Sequence, residues 1–173
     1  YTGTAVTGFP PGTVIGAIEA GTATAGTAKT ALTAACIDAA GRALNVVTIP
    51  TGELGGLTLA PGLYISGISS FAITSVDLTL DAQGDPNAVW IFQMPSSTFT
   101  VGNGRQIILA GGALPGNIYW SVGSSATLGT TCTVAGNILA QASITLQTGA
   151  TLNGRALARI GAVALDSNTV TKP

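Results

Sequence analysis

The chain has 173 residues, enough for one domain with a real core, yet only 8% of them are charged against about 25% in an ordinary globular protein, and the mean hydropathy is +0.52. A net charge of −1 gives no electrostatic footprint for a nucleic acid or an anionic membrane, and no uninterrupted apolar run approaches the roughly 18–20 residues that span a bilayer. There is no histidine, so the commonest general base and metal ligand is missing, and neither catalysis nor a cofactor is expected.

The first residues, "YTGTAVTGFPPG", lack the basic start and apolar stretch of a secretion signal, so any leader is expected to have been removed already. Next, "TATAGTAKTALTAACIDAAGRAL" sets Ala25, Ala28, Leu32, Ala35, Cys36 and Ala39 at helical spacing, with Thr27, Lys29, Thr30, Thr33 and Asp38 on the other face. Gly41 supplies a stop, which predicts one amphipathic helix over about 23–41.

Beyond the helix the period changes to two. "GLYISGISSFAITSVDLTLDAQG" (62–84) and "NAVWIFQMPSSTFTVGNGRQIIL" (87–109) each read as a coil of short strands broken by Gly, Ser or Asn. Asp81 and Asp85, the only carboxylates close in sequence, could serve glycoside hydrolysis as a pair. Asp-x-x-x-Asp-Pro beside glycine is more simply a turn in which each Asp bonds the local backbone. "GNGR" (102–105) lacks the lysine of a phosphate loop.

Three further coils start at Gly116, Gly136 and Gly154, and in them Thr133, Thr151 and Thr169 recur 18 residues apart. Three strands per coil at this repeat describe a β-solenoid, in which each coil buries its face only by stacking on neighbours. Tyr64, Trp90, Tyr119, Leu139 and Leu157 are expected to form an outward apolar column on the first side, which needs cover. The helix is the available cover. Arg155 and Arg159 are expected outward at a coil edge, in solvent.

On the second strand of successive coils the outward residues are Thr98 and Thr100, Ser125 and Thr127, Ser143 and Thr145, and Ala162 and Ala164. Ser70 and Ala72, flanking Phe71, are expected to extend the column. The third strand carries the ladder Thr133, Thr151 and Thr169. Strands about 4.7–4.9 Å apart, bearing stiff β-branched side chains, would turn the second-strand column into a flat, weakly polar plane. Such a plane suits a flat, periodic, uncharged partner such as ice, although small residues also fill the outer positions of any solenoid. Cys36 and Cys132 have no metal-ligand spacing; they form either one disulfide or two free thiols.

Several stretches, "TAVTGFPPGTVIGAI", "LGGLTLAPGLY", "LTLDAQGDPNAVWIFQ", "GGALPGNIYWSVGSSATLG", "AGNILAQASITLQTGATLNGRALA" and "GAVALDSNTVT", together resemble the ice-binding (antifreeze) domain shared by bacteria, fungi and sea-ice algae. The resemblance runs over nearly the whole chain. It implies a mostly β fold: an irregular right-handed β-helix of triangular section with a long helix along one side, forming a single domain over 1–173. It also implies a secreted, extracellular protein without catalytic residues or cofactor that adsorbs to an ice surface through one flat side. Carried over residue by residue, that side is the second-strand column, with Thr133, Thr151 and Thr169 as second choice. Two departures stand out. Members of the family carry a further segment ahead of "TGFPPG", so an open solenoid end is expected here. Cys36 also stands where an aromatic is more usual. An open end motivates the alternative of an extracellular matrix protein whose copies assemble into fibres by stacking or strand exchange.

Overall fold

The structure, a computed structural model, describes residues 5–173; residues 1–4 of the expected single unit lie outside the described residues. A helix α1 spans Ala23–Gly41, within the predicted range. It starts where Thr22 accepts a hydrogen bond from the Ala25 N–H at 3.2 Å, a side-chain N-cap that satisfies one orphan donor of the first turn.

After the helix the chain runs through short parallel strands: β1 Val47–Ile49, β2 Thr58–Leu59, β3 Gly62–Ser66, β4 Phe71–Ile73, β5 Leu78–Asp81, β6 Trp90–Met94, β7 Phe99–Val101, β8 Ile107–Ala110, β9 Ile118–Val122, β10 Ala126–Leu128, β11 Thr133–Ala140, β12 Ile144–Leu146, β13 Thr151–Ala158, β14 Val163–Leu165 and β15 Thr169–Thr171, with one 3-10 turn at Pro115–Asn117. They form three sheets, ordered β1-β3-β6-β9-β11-β13-β15, β4-β7-β10-β12-β14 and β2-β5-β8. From β3 to β9 successive strands visit the three sheets in turn, and each strand inside a sheet pairs with its equivalents one coil before and one coil after. Among the described residues this is a three-sided β-helix with one outer α-helix and no closed barrel.

Three separate strands per coil hold only in the earlier coils. From β11 onward the third strand of one coil runs without a break into the first strand of the next. Stacked glycines make the corner. Gly136 has φ +114°, and a Cβ added to its register partner Gly154 would collide with the Gly136 carbonyl oxygen.

The interior holds rows of inward-facing residues in register, buried along most of the solenoid and opening toward solvent at Ala156 and Val163 in the last coil. Tyr64, Phe92, Trp120, Ile138 and Ala156 line up on the first side. Phe71, Phe99, Ala126, Ile144 and Val163 line up on the second. Rings stack along the axis: Tyr64 on Phe92 at 5.3 Å, Phe92 on Trp120 at 4.2 Å, and Phe99 on Trp120 at 4.3 Å.

The expected outward column on the first side is corrected here. Tyr64 and Trp90 are buried and face inward, and the Trp90 indole N–H donates to the Leu59 carbonyl at 3.2 Å. The outward rows are Leu63, Ile91, Tyr119, Asn137 and Arg155, beside Ile65, Gln93, Ser121, Leu139 and Leu157. The expected column mixed the two parities of the strands, and a one-residue slip exchanges the faces.

The helix nevertheless covers this side, lying against β6, β9 and β11. Its inner stripe is Ala25, Lys29, Leu32, Thr33, Cys36 and Ala39, whereas Ala28 and Ala35 are exposed. Lys29 sits half-buried because its methylene stem can cover apolar surface. The Gln93 side chain fastens the helix end, donating from Nε2 to the carbonyls of Ala39 at 2.7 Å, Ala40 at 3.3 Å and Arg42 at 2.8 Å.

Three further expectations meet the structure. Arg155 and Arg159 are half-buried, not solvated, and donate to Asn137 Oδ1 at 2.7 Å and Gln141 Oε1 at 2.8 Å in the preceding coil. The possible Cys36–Cys132 disulfide is absent and both thiols are free; Cys36 lies on the outer helix while Cys132 is fully buried inside the solenoid. Burial pushes the Cys132 thiol up to about 11, and also raises that of Cys36 against an opposing pull from the Arg159 charge. Asp81 and Asp85 are turn residues, accepting from the N–H groups of Gln83 and Asn87 two residues on at 2.9 and 2.8 Å.

Candidate functional site

The second sheet is the side on which the sequence-predicted residues come together. Its register aligns Ala72, Thr100, Thr127, Thr145 and Ala164 in one row across five strands. Backbone bonds align the parallel row Ser70, Thr98, Ser125, Ser143 and Ala162: Phe71 N–H to Thr98 O, Phe99 N–H to Ser125 O, Ala126 N–H to Ser143 O, and Ile144 N–H to Ala162 O, at 3.0–3.2 Å. Both rows alternate with the inward residues Phe71, Phe99, Ala126, Ile144 and Val163, so they point out of the same face.

Thr98, Thr145, Ala162 and Ala164 are exposed, while Thr100, Ser125, Thr127 and Ser143 are half-covered by their neighbours. No side chain in either row is charged or larger than threonine. The face is also rigid. Its strands pair on both edges from β7 to β12, and β-branched threonine holds few χ1 rotamers.

The hydroxyls separate these threonines from others in the chain. Thr27, Thr30 and Thr33 donate back to helix carbonyls four residues earlier, and Thr74 donates to Glu53. Among the described residues, Thr98, Thr100, Thr127 and Thr145 have no hydroxyl partner within the protein. Their hydrogen-bonding capacity faces outward, on a grid of about 4.7–4.9 Å along the axis and about 6.6–6.8 Å between rows.

The second-choice ladder is also in register: Thr133, Thr151 and Thr169 pair across β11, β13 and β15. It is shorter. An isolated bridge joins Thr133 to Gln106, and Gln106 adjoins Asp77, which accepts from its N–H at 3.0 Å and lies 3.6 Å from Arg105. The third side therefore changes from threonines to an ion pair partway along the solenoid. Among the described residues, no group of three or more His, Cys, Asp or Glu could hold a metal ion.

Ala72, expected as an extension of the column, is in register with Thr100. Away from this face, the structure assigns a role to Gln93 on the first side, which the sequence reading passed over. The available signal was one amide at an outward position of the apolar run "VWIFQM".

Comparison with known proteins gives a consistent result. The chain is 46% identical over 178 residues to an ice-binding protein of Nostoc sp. (strain HG1), covering 98% of this chain and 62% of that protein. It is 42% identical over 137 residues to an ice-binding protein of Colwellia sp, covering 79% of this chain and 52% of that protein. The chain thus spans between half and two thirds of the length of these curated relatives. Among solved structures, an ice-binding protein from an Antarctic biological consortium superposes with a TM-score of 0.90 at 52% identity, over 95% of this chain and 73% of that one. An ice-binding protein of the Antarctic ascomycete Antarctomyces psychrotrophicus gives a TM-score of 0.90 at 41% identity, over 98% and 82%. The model of the family described as ice-binding-like matches residues 1–171, and the chain belongs to that family.

Proposed function

We propose that this chain adsorbs to ice through the second side of its solenoid and so inhibits ice growth or recrystallisation, without turnover and without a cofactor. The observation that carries the reading is the uncharged plane of two in-register rows, in which four threonine hydroxyls have no partner inside the protein. Methyl groups on that plane favour ordered water above them, while the hydroxyls join its hydrogen-bond network. The names of the relatives support the choice of partner, and none of them speaks for a self-assembling fibre. The contact residues are Thr98, Thr100, Ser125, Thr127, Ser143, Thr145, Ala162 and Ala164, with the Thr133, Thr151 and Thr169 ladder secondary. Ice forms first outside cells, so we place the site of action there; finding the native protein only in the cell fraction of a culture would refute that placement.

The test is thermal hysteresis of the purified protein beside Thr127→Tyr and Thr145→Tyr. Each phenol would stand above the plane and hold the rest of the face off a flat lattice. The parent should arrest ice growth, and both variants should lose most of that activity with unchanged unfolding curves. Full activity in both variants would exclude this face and shift attention to Thr151→Tyr on the third side.

A further inference from the structure

The core beneath the proposed face is not built alike in every coil. Each coil sets one inward residue of the first side against one of the second. In order these pairs are Tyr64 with Phe71, Phe92 with Phe99, Trp120 with Ala126, Ile138 with Ile144, and Ala156 with Val163. The third pair is lopsided. Ala126 continues the row that holds Phe71 and Phe99, yet it contributes only a methyl group and is still 1% exposed.

Something else fills the volume under β10. The Trp120 indole lies nearly parallel to two rings of the preceding coil, at 10° and 4.2 Å from Phe92 and at 12° and 4.3 Å from Phe99. Phe92 belongs to the first side and Phe99 to the second, so the indole reaches from its own strand to the region beneath the second. Its N–H donates to the Ala135 carbonyl on the third side at 3.0 Å. One side chain therefore touches all three sides, and it is fully buried.

We infer that Trp120 is a positioning residue for the ice-contacting face: its indole props β10 from within and holds Thr127 level with Thr100 and Thr145. The inference rests on the proposed ice contact of the second side and deepens it. Interiors are packed to crystal-like density, and a truncated core side chain leaves a cavity that its walls only partly refill. Truncating Trp120 empties the space behind Ala126, the residue flanked on the face by Ser125 and Thr127. The strand then settles inward or becomes mobile at the middle of the plane, where flatness matters most.

Trp90 is the matched control. It is also fully buried and anchored by its N–H to a third-side carbonyl, Leu59. Its register partners Gly62 and Ile118 belong to the first side, away from the face. Trp120→Leu and Trp90→Leu remove the same volume and should lower the melting temperature by comparable amounts. With both folded near 0 °C by circular dichroism, Trp120→Leu should lose more than half of the thermal hysteresis and Trp90→Leu should keep most of it. The double variant Trp120→Phe/Ala126→Phe rebuilds the Phe92 and Phe99 pair one coil further on and should restore activity.

A second measurement does not depend on ice, or on Trp120→Leu folding. Three-bond couplings of Thr127 in Trp120→Phe should show χ1 averaging that is absent from the parent and from Trp90→Phe. Equal loss of hysteresis in both leucine variants, full activity in Trp120→Leu, or an unchanged Thr127 χ1 in Trp120→Phe would each overturn the inference. An inactive parent, or an active Thr127→Tyr, would instead remove the reading of the face on which it stands, whatever the couplings show.

Discussion

Replacing Gln93 should undock the helix while the solenoid stays folded. Gln93 is 5% exposed, and its Nε2 is the donor shared by the carbonyls of Ala39, Ala40 and Arg42 at the end of α1. These carbonyls lie where a helix has no internal partners to offer. Ala39 is the buried residue among the three, so Gln93→Leu strands chiefly one buried acceptor, at a cost of about 1–3 kcal/mol. Spread over global unfolding of a domain this size, a loss of about 2 kcal/mol would lower the melting temperature by roughly 4–8 °C. The packing points to a local outcome instead. Ala39 is the helix residue that is buried, and the rest of the inner stripe is half-exposed, so releasing the helix exposes little apolar surface. Local opening draws on such weakly packed units. Native-state hydrogen exchange should therefore show α1 amides losing protection by about tenfold or more, at 1.4 kcal/mol per tenfold, with β9, β11 and β13 unchanged. Gln93→Glu sharpens the test. An ionised carboxylate against three carbonyls at the negative end of a helix dipole is disfavoured, so its folded-state pKa is raised. That variant should be most stable below about pH 4 and weaken as pH rises through the raised value. Helix amides as protected in Gln93→Leu as in the parent would show that the three bonds do not hold the helix in place.

Two further outcomes test the corners of the solenoid. Thr131 sits at φ +54°, a left-handed conformation costly for a β-branched residue, and its N–H bonds Thr148 O next to Gly149, which has φ +71°; Thr131→Gly should raise stability by about 1 kcal/mol in a denaturant titration, and a loss would refute the strain. Burial alone would raise the Glu53 carboxyl, but the Thr74 hydroxyl and the N–H groups of Thr74, Gly55 and Ser75 outweigh it and hold the group below its ordinary value. Its contribution is present above about pH 4.5 and is lost as pH falls through the lowered value. Melts in mild acid should therefore show a sag that Glu53→Gln lacks, and identical profiles would remove Glu53 as its source.

The fold was legible because solenoid physics is local. Alternating short strands, glycine at the corners and an 18-residue threonine recurrence each report a repeat that can bury its face only by stacking. The helix was legible from its alanine content and the Gly41 stop. Parity on the first side was harder. Tyr64 and Trp90 are large and apolar, and nothing in a single strand tells whether such a residue fills the core or a docking surface. The pairing of Tyr64 with Phe92 and of Trp90 with Ile118 decides it, and pairing is a long-range property. Gln93 was invisible for the same reason, since its partners lie more than 50 residues away. On the second side the sequence had the parity right because Phe99, Leu128, Ile144 and Leu146 are unambiguous core residues.

Why this side is the bare one follows from how the three sides are occupied. The first carries the helix and the half-buried Arg155 and Arg159 that bind the preceding coil, so it presents no plane to solvent. The third is crossed by the Asp77 and Arg105 pair at 3.6 Å, and a flat uncharged lattice offers nothing to replace the water such charges hold. Only the second side runs from β4 to β14 without a charge in its outward rows. It does so above a bulky part of the core, where Phe71, Phe99 and the Trp120 indole lie behind the strands. Bulk inside and smallness outside are two expressions of one constraint. A strand of three residues stays flat only if its inward side chain is fully supported, and a flat strand can meet a flat partner only if its outward side chains are short. That coupling predicts that substitutions in the inward row will register at the surface, which is why the interior of this solenoid belongs to its binding face.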